Sequence, residues 1–212
     1  MRKFASTASV RGMTLIELMV SITIFAIALT LSIPSFGEWL QNSQLRSTAE
    51  SMQNGIQFAR AEAVRRNNPT QFQFVSTTDN TCALATAGPY WVVNMPTTAA
   101  ATPVGACGAT PSDATSPYIL QFSPVVSTRA LTSMTVAASQ KVISFDGLGR
   151  QTASVNPATP AAQFSVDITP VNTSSCVANG GTLRCLRVTV STMGQVRMCD
   201  PSLTAGSTPT AC

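Results

Sequence analysis

The stretch Arg11-Gly12-Met13-Thr14-Leu15-Ile16-Glu17-Leu18-Met19-Val20 constrains this chain more than any other. A short basic leader (Arg2, Lys3, Arg11) ends in Gly12, and an apolar run follows from Met13 to Ile33, broken by one charge, Glu17. A run of that length can span a bilayer as a helix. A carboxylate inside it costs on the order of 2.5–3.5 kcal/mol at mid-membrane and less near an end, so Glu17 needs a partner. Cleavage after Gly12 would supply one, because the new amine on Met13 is a cation four residues before Glu17. A helix started at Met13 also holds Glu17 in its first turn, where the dipole favours negative charge. In an assembly, Glu17 of one subunit could instead neutralise the amine of a neighbour. An ordinary signal peptide fits poorly. The polar leader has no apolar region of its own, the glycine precedes the apolar run, and no A-x-A site closes it.

These residues resemble the processing site of type IV pilins and type II secretion pseudopilins. The resemblance implies cleavage between Gly12 and Met13 by prepilin peptidase, then N-methylation of Met13. It also implies that Glu17 helps dock subunits into a filament. The family usually carries Phe where this chain has Met13.

Charged residues make up only 10% of the 212, and Ser, Thr, Ala and Pro abound, which reads as a secreted, strand-rich domain. The formal charge of +4 belongs mostly to the leader, which holds three of the thirteen bases and none of the nine acids. The remainder has ten bases against nine acids, so no global charge argues for nucleic-acid binding. Six cysteines, all beyond the apolar run, point to an oxidising compartment and disulfides. Six cysteines permit fifteen pairings; proximity favours Cys82–Cys107, Cys176–Cys185 and Cys199–Cys212. With no C-x-x-C pair and no histidine, a zinc site is not expected, and neither is any cofactor.

The helix is expected to continue past the membrane. Pro34 should kink it rather than end it, by removing one backbone bond and crowding the preceding turn. Leu45, Ala49, Met52, Ile56, Ala59 and Ala63 then recur at spacings of three and four, one apolar stripe of an amphipathic helix. Arg65 and Arg66 suit its last turn and Asn67-Asn68-Pro69 its stop. From Thr70 the period changes to two. Segments 71–75, 90–93, 118–122, 134–136, 141–145, 163–168 and 186–190 read as strands, with turns at Asp146-Gly147, Asn179-Gly180-Gly181 and Met193-Gly194. Residues 96–117 and 200–212 read as loops.

The expected organisation is therefore a leader at 1–12 and a membrane or filament-core helix at 13–35. An amphipathic continuation occupies 36–67, and a disulfide-stabilised β-rich head 68–212. The fold class is α+β, a long N-terminal helix packed on antiparallel sheet. No histidine base, G-x-S-x-G elbow or P-loop appears, so no enzyme is expected.

Two glycine-arginine turns remain, Phe145-Asp146-Gly147-Leu148-Gly149-Arg150 and Met193-Gly194-Gln195-Val196-Arg197. Behind such a leader, the pair resembles the FimT/FimU minor pilins, whose head is shared with the H-type pseudopilins. Cysteine-rich heads with a cysteine near the C-terminal end look more like the pilus members. That resemblance implies a precursor in the inner membrane with its head in the periplasm, later carried into a pilus at the cell surface. Its partners would be other minor and major pilins, and its work priming assembly, with a place at the tip. Some FimT-type proteins bind DNA in natural transformation through a G-R-x-R motif. Here it reads Gly194-Gln195-Val196-Arg197, so Gln195 replaces the first arginine. Arg150, Arg184 and Arg187 would add to a double-stranded DNA site if the fold gathered them, since cationic contacts to phosphate dominate such affinity. Arg184 and Arg187 would face opposite sides of one regular strand, and otherwise these arginines are solvated strand residues. Two alternatives to the assembly role thus stay open, DNA uptake and an H-type pseudopilin of type II secretion.

Overall fold

The structure, a computed structural model, describes residues 12–96, 102–204, 206 and 208–212. Helix α1 runs Leu15–Arg66, and within it the chain divides into two units, Met1–Trp39 and Leu40–Cys212.

In the first unit, Thr14 caps the helix: its Oγ1 accepts the Glu17 backbone N–H at 3.3 Å. Thr14-Leu15-Ile16-Glu17 is the S/T-x-x-E sequence of a capping box, with the acid in the first turn. Ser21, Thr23 and Thr30 donate their hydroxyls to the carbonyls of Glu17, Val20 and Ile27 at 2.7, 2.8 and 2.8 Å. These three polar groups are therefore satisfied by their own helix. Among the described residues, no helix is long and apolar enough to cross a membrane. The side chains of residues 31–35 lie outside the described residues, and with them the kink expected at Pro34.

In the second unit the helix ends as its Asn-Asn-Pro signal implies. Asn67 takes φ 49°, its N–H bonds Val64 O at 3.3 Å, and Asn68 N–H bonds Ala63 O at 3.2 Å, the paired bonds of a Schellman motif. All strands among the described residues fall in this unit. They are β1 (Thr70–Phe74), β2 (Trp91–Asn94), β3 (Ile119–Phe122), β4 (Met134–Ala138), β5 (Val142–Phe145) and β6 (Gln151–Thr152). After them come β7 (Ser154–Val155), β8 (Ala158–Thr159), β9 (Phe164–Pro170), β10 (Leu186–Val190) and β11 (Val196–Cys199). They form a five-stranded sheet in the order β3-β2-β1-β5-β6, a four-stranded sheet β11-β10-β9-β4, and the hairpin β7-β8. Every pairing between these strands is antiparallel.

The helix stripe is the seam between helix and sheets. Leu45, Ala49, Met52, Ile56, Ala59 and Ala63 are all 0% exposed. They share one core with Phe72, Phe74 and Trp91 of the first sheet and Phe164, Val166 and Val188 of the second. Within it Phe72 lies against Trp91 and Phe74 against Phe164, with ring centroids 5.3 and 5.9 Å apart. Burying a large apolar side chain contributes about 1.5–3 kcal/mol, so this shared core dominates the stability of the head.

The structure departs from the period-two reading at β1. Gln71 and Gln73 alternate with phenylalanine in sequence, but both are buried. A second apolar cluster containing Val75, Val92, Ile119 and the Cys82–Cys107 disulfide forms on the rest of the first sheet. The amide N–H groups of both glutamines find partners within the head, while Gln73 Oε1 is buried without one. Gln71 Nε2 donates to Ser154 Oγ at 2.6 Å, and Gln73 Nε2 donates to Gln71 Oε1 at 2.7 Å and Asn94 Oδ1 at 2.9 Å. A short helix, α2 (Thr128–Ser133), precedes β4, in a segment where the sequence shows no helical stripe. Tyr118, expected within a strand, instead takes φ 55° just before β3. The other two disulfides are Cys176–Cys185 and Cys199–Cys212, and the second closes the C-terminal segment onto the end of β11.

Candidate functional site

Two regions carry the residues singled out from sequence. At the start of α1, Gly12, Met13 and Glu17 are exposed. The Thr14 cap fixes where the helix begins, which places Glu17 at its third residue. The capping pattern was legible in the sequence but is overshadowed there by the charge of Glu17.

The two glycine-arginine turns belong to different sheets, and the fold docks them on each other. Gly149 (φ 74°) lies in the β5–β6 turn and Gly194 (φ 80°) in the β10–β11 turn. A Cβ on Gly194 would run into the Gly149 carbonyl oxygen, so only glycine permits this approach. Arg60, in the last two turns of α1, donates its Nε to that same carbonyl at 2.9 Å. The backbone N–H of Gln151 reaches Thr192 O at 3.0 Å beside it, so the junction joins helix, first sheet and second sheet. Arg60 is a residue that no sequence motif marks.

Each arginine proposed for phosphate contact is placed differently. Arg150 closes its own turn: Asp146 Oδ1 accepts the backbone N–H groups of Leu148 and Arg150, both at 2.9 Å, and Asp146 Oδ2 accepts the Arg150 guanidinium at 3.1 Å. The Arg150 backbone N–H is the main reason the Asp146 carboxyl sits below its ordinary range. Arg187 stands directly opposite Asp167 in the β10–β9 register and pairs with it at 2.6 Å, a bond that raises the guanidinium above its ordinary range. Arg197 lies two residues along from Cys199, the cross-strand partner of Arg187, so both arginines occupy the face of the second sheet away from the core. Its guanidinium donates to Pro209 O at 3.1 Å in the C-terminal segment. Arg184 precedes β10 rather than lying in it, and its backbone N–H bonds Asn42 Oδ1 of α1 at 2.9 Å. Gln195 is exposed at the turn, its N–H bonded to Ser191 Oγ at 3.1 Å. The fold thus brings Arg187 and Arg197 together, and Arg150 to the glycine junction. Among the described residues no group of three His, Cys, Asp or Glu is placed to hold a metal ion.

The family model for type II transport protein GspH matches residues 48–194, well over half of the chain. The chain belongs to the GspH family. Its N-terminal portion also matches the prokaryotic N-terminal methylation motif over residues 7–33. Two crystal forms of the Pseudomonas aeruginosa type IV minor pilin FimU resemble this GspH-family chain at 16% identity. One covers 80% of this chain and 98% of FimU with a TM-score of 0.45, the other 77% and 98% with 0.42. No curated protein matches the chain. The GspH-family head and the methylation motif together identify a type IV minor pilin or GspH-like pseudopilin, with processing by prepilin peptidase and pilin partners implied by the motif.

Proposed function

We propose that this GspH-family chain is a minor pilin of a type IV pilus that primes assembly and sits at or near the tip. It would be made as a precursor, anchored in the inner membrane by residues 13–35 with its head in the periplasm, cut between Gly12 and Met13, and N-methylated on Met13. The observation that carries this reading is the methylation motif at 7–33 ahead of a GspH head at 48–194. In the mature chain Glu17 would neutralise an N-terminal amine, its own or a neighbour's, as subunits leave the membrane. A carboxylate left unpaired in an apolar filament core would be strongly disfavoured, so the amine and Glu17 recognise each other. The test is Glu17→Ala in the full chain. The variant should accumulate as a folded, processed membrane protein and be absent from sheared pili, with piliation reduced. Wild-type piliation and wild-type recovery of the variant in sheared pili would refute it.

The description of the matched family favours one second reading, an H-type pseudopilin of type II secretion. It differs in consequence, since deletion would then block protein export rather than piliation. The DNA-uptake reading draws less support. Arg150 and Arg187 are each ion-paired, Arg197 is engaged by a carbonyl, and Gln195 stands where the motif's first arginine would be.

A further inference from the structure

The first unit ends in two aromatic side chains that nothing in its own fold explains. Phe36 and Trp39 are each 63% exposed, and their ring centroids lie 5.7 Å apart. They are three residues apart on a helix and so share one face, while Glu38 projects from a different side. Both follow directly on the apolar run that closes at Ile33. Of the two tryptophans in the chain, Trp91 is 2% exposed within the head core, which makes the exposure of Trp39 a local property.

We propose that Phe36 and Trp39 form an aromatic anchor that seats α1 in the lipid headgroup layer on the periplasmic side of the membrane before assembly. The inference rests on the reading that residues 13–35 are membrane-embedded. Three physical arguments select a lipid interface as the occupant. First, a tryptophan ring is largely apolar but carries an N–H that needs a hydrogen-bond partner, so it prefers the boundary where one end is apolar and the other wet. Second, the position fits: from Met13 to Trp39 a helix rises about 39 Å, close to the roughly 40–45 Å of a bilayer with its headgroup regions. With the Met13 amine at the inner interface, Trp39 falls at the outer one. Third, the side-chain character changes at this point. Apolar residues dominate as far as Phe36, and beyond Trp39 the polar residues Gln41, Asn42, Ser43 and Gln44 take over. The anchor would fix the depth of the helix and so hold Glu17 close to the opposite face of the membrane, where its amine partner is generated.

The experiment uses the full chain in phosphatidylcholine vesicles, with Trp39→Phe as its partner, so that the difference in emission is the Trp39 signal and Trp91 is left intact. Brominated lipids carrying the quencher either near the glycerol end or near the chain end of the acyl tails report depth. The expected result is a blue-shifted Trp39 signal that loses about half of its emission to the shallow quencher and markedly less to the deep one. Vesicle flotation, run in parallel, separates the two ideas. Chain that floats while Trp39 is unquenched, or is quenched more by the deep lipid, overturns the anchor and leaves membrane embedding intact. Chain that fails to float overturns both. Trp39 that is unquenched in vesicles but shielded from aqueous iodide in sheared pili would assign the aromatic pair to a neighbouring pilin, and would overturn the lipid assignment.

Discussion

The docked turns make a sharp prediction about Gly194. Replacing it with alanine imposes two separate costs. At φ 80° an alanine Cβ crowds its own backbone, which costs about 1–2 kcal/mol. The same Cβ also strikes the Gly149 carbonyl oxygen. That oxygen must move, and it is the acceptor for Arg60 Nε at 2.9 Å. A hydrogen bond to a charged donor is worth roughly 1.5–3 kcal/mol, and because Arg60 is exposed the lower end applies. Gly194→Ala should therefore destabilise the head by about 3 kcal/mol. Gly180→Ala is the matched control. Its φ is 85°, but an added Cβ there meets nothing within 4 Å, so only the backbone cost applies. Urea unfolding of the oxidised unit from Leu40 onward, at neutral pH, measures both. The difference between the variants should be about 1.5 kcal/mol or more, and Arg60→Ala should shrink it because the two changes share one bond. Equal costs for Gly194→Ala and Gly180→Ala, within about 0.5 kcal/mol, would mean that the turns do not bear on each other.

Two further outcomes follow from the head. Arg66 bridges Glu62 (2.7 Å) and Asp113 (2.9 Å), joining the end of α1 to the segment before β3. The Arg66 hydrogen bond lowers the Asp113 carboxyl and the Arg65 hydrogen bond lowers that of Glu62. Depressed carboxyls stabilise the fold above their unfolded pKa and lose that contribution as pH falls through the folded one. The stability gap between wild type and Asp113→Asn should thus be full at neutral pH, begin to shrink near about pH 5 and be lost only as pH falls below the ordinary aspartate range; a gap that stays constant or widens as pH falls would contradict the bridge. Cys212→Ser opens the loop closed across a sequence separation of 13 residues. It should cost about 3 kcal/mol in non-reducing urea titrations by the chain-entropy account, and an unchanged midpoint would show that the C-terminal segment is held without its disulfide.

Sequence legibility varied with the length scale of the physics. The stripe from Leu45 to Ala63 is visible because helical periodicity repeats over many residues, and β9 is visible for the same reason, alternating buried and half-buried along Phe164–Pro170. The burial of Gln71 and Gln73 is not visible. Their alternation with phenylalanine has the form of a one-sided strand, and what lies over them comes from segments without regular pattern, held by Cys82–Cys107. Helix α2, with six residues, and strands β6, β7 and β8, with two each, are too short to carry a period. At the candidate site, Gly149 and Gly194 are recognisable as turn residues one by one, but their contact depends on how two sheets meet. The pairing of Arg187 with Asp167 likewise requires the register of β10 on β9, which follows from side-chain alternation only once both neighbours are known. The N-terminal methylation motif is the opposite case, since its pattern lies in adjacent residues.

The glutamine-phenylalanine alternation of β1 has one further consequence. A strand buried on both sides by oil alone can slide along its neighbours at little penalty, because every residue is acceptable on either face. Here the two faces demand different chemistry. Phe72 and Phe74 meet helix and rings, while Gln71 and Gln73 meet Asn94 and Ser154. A slip by one residue would drive two amides into the apolar core and strip the remaining polar groups of their partners, each such group costing about 1–3 kcal/mol. The central strand of the larger sheet is thereby indexed, like a key cut on both edges, and β2 and β5 inherit their alignment from it.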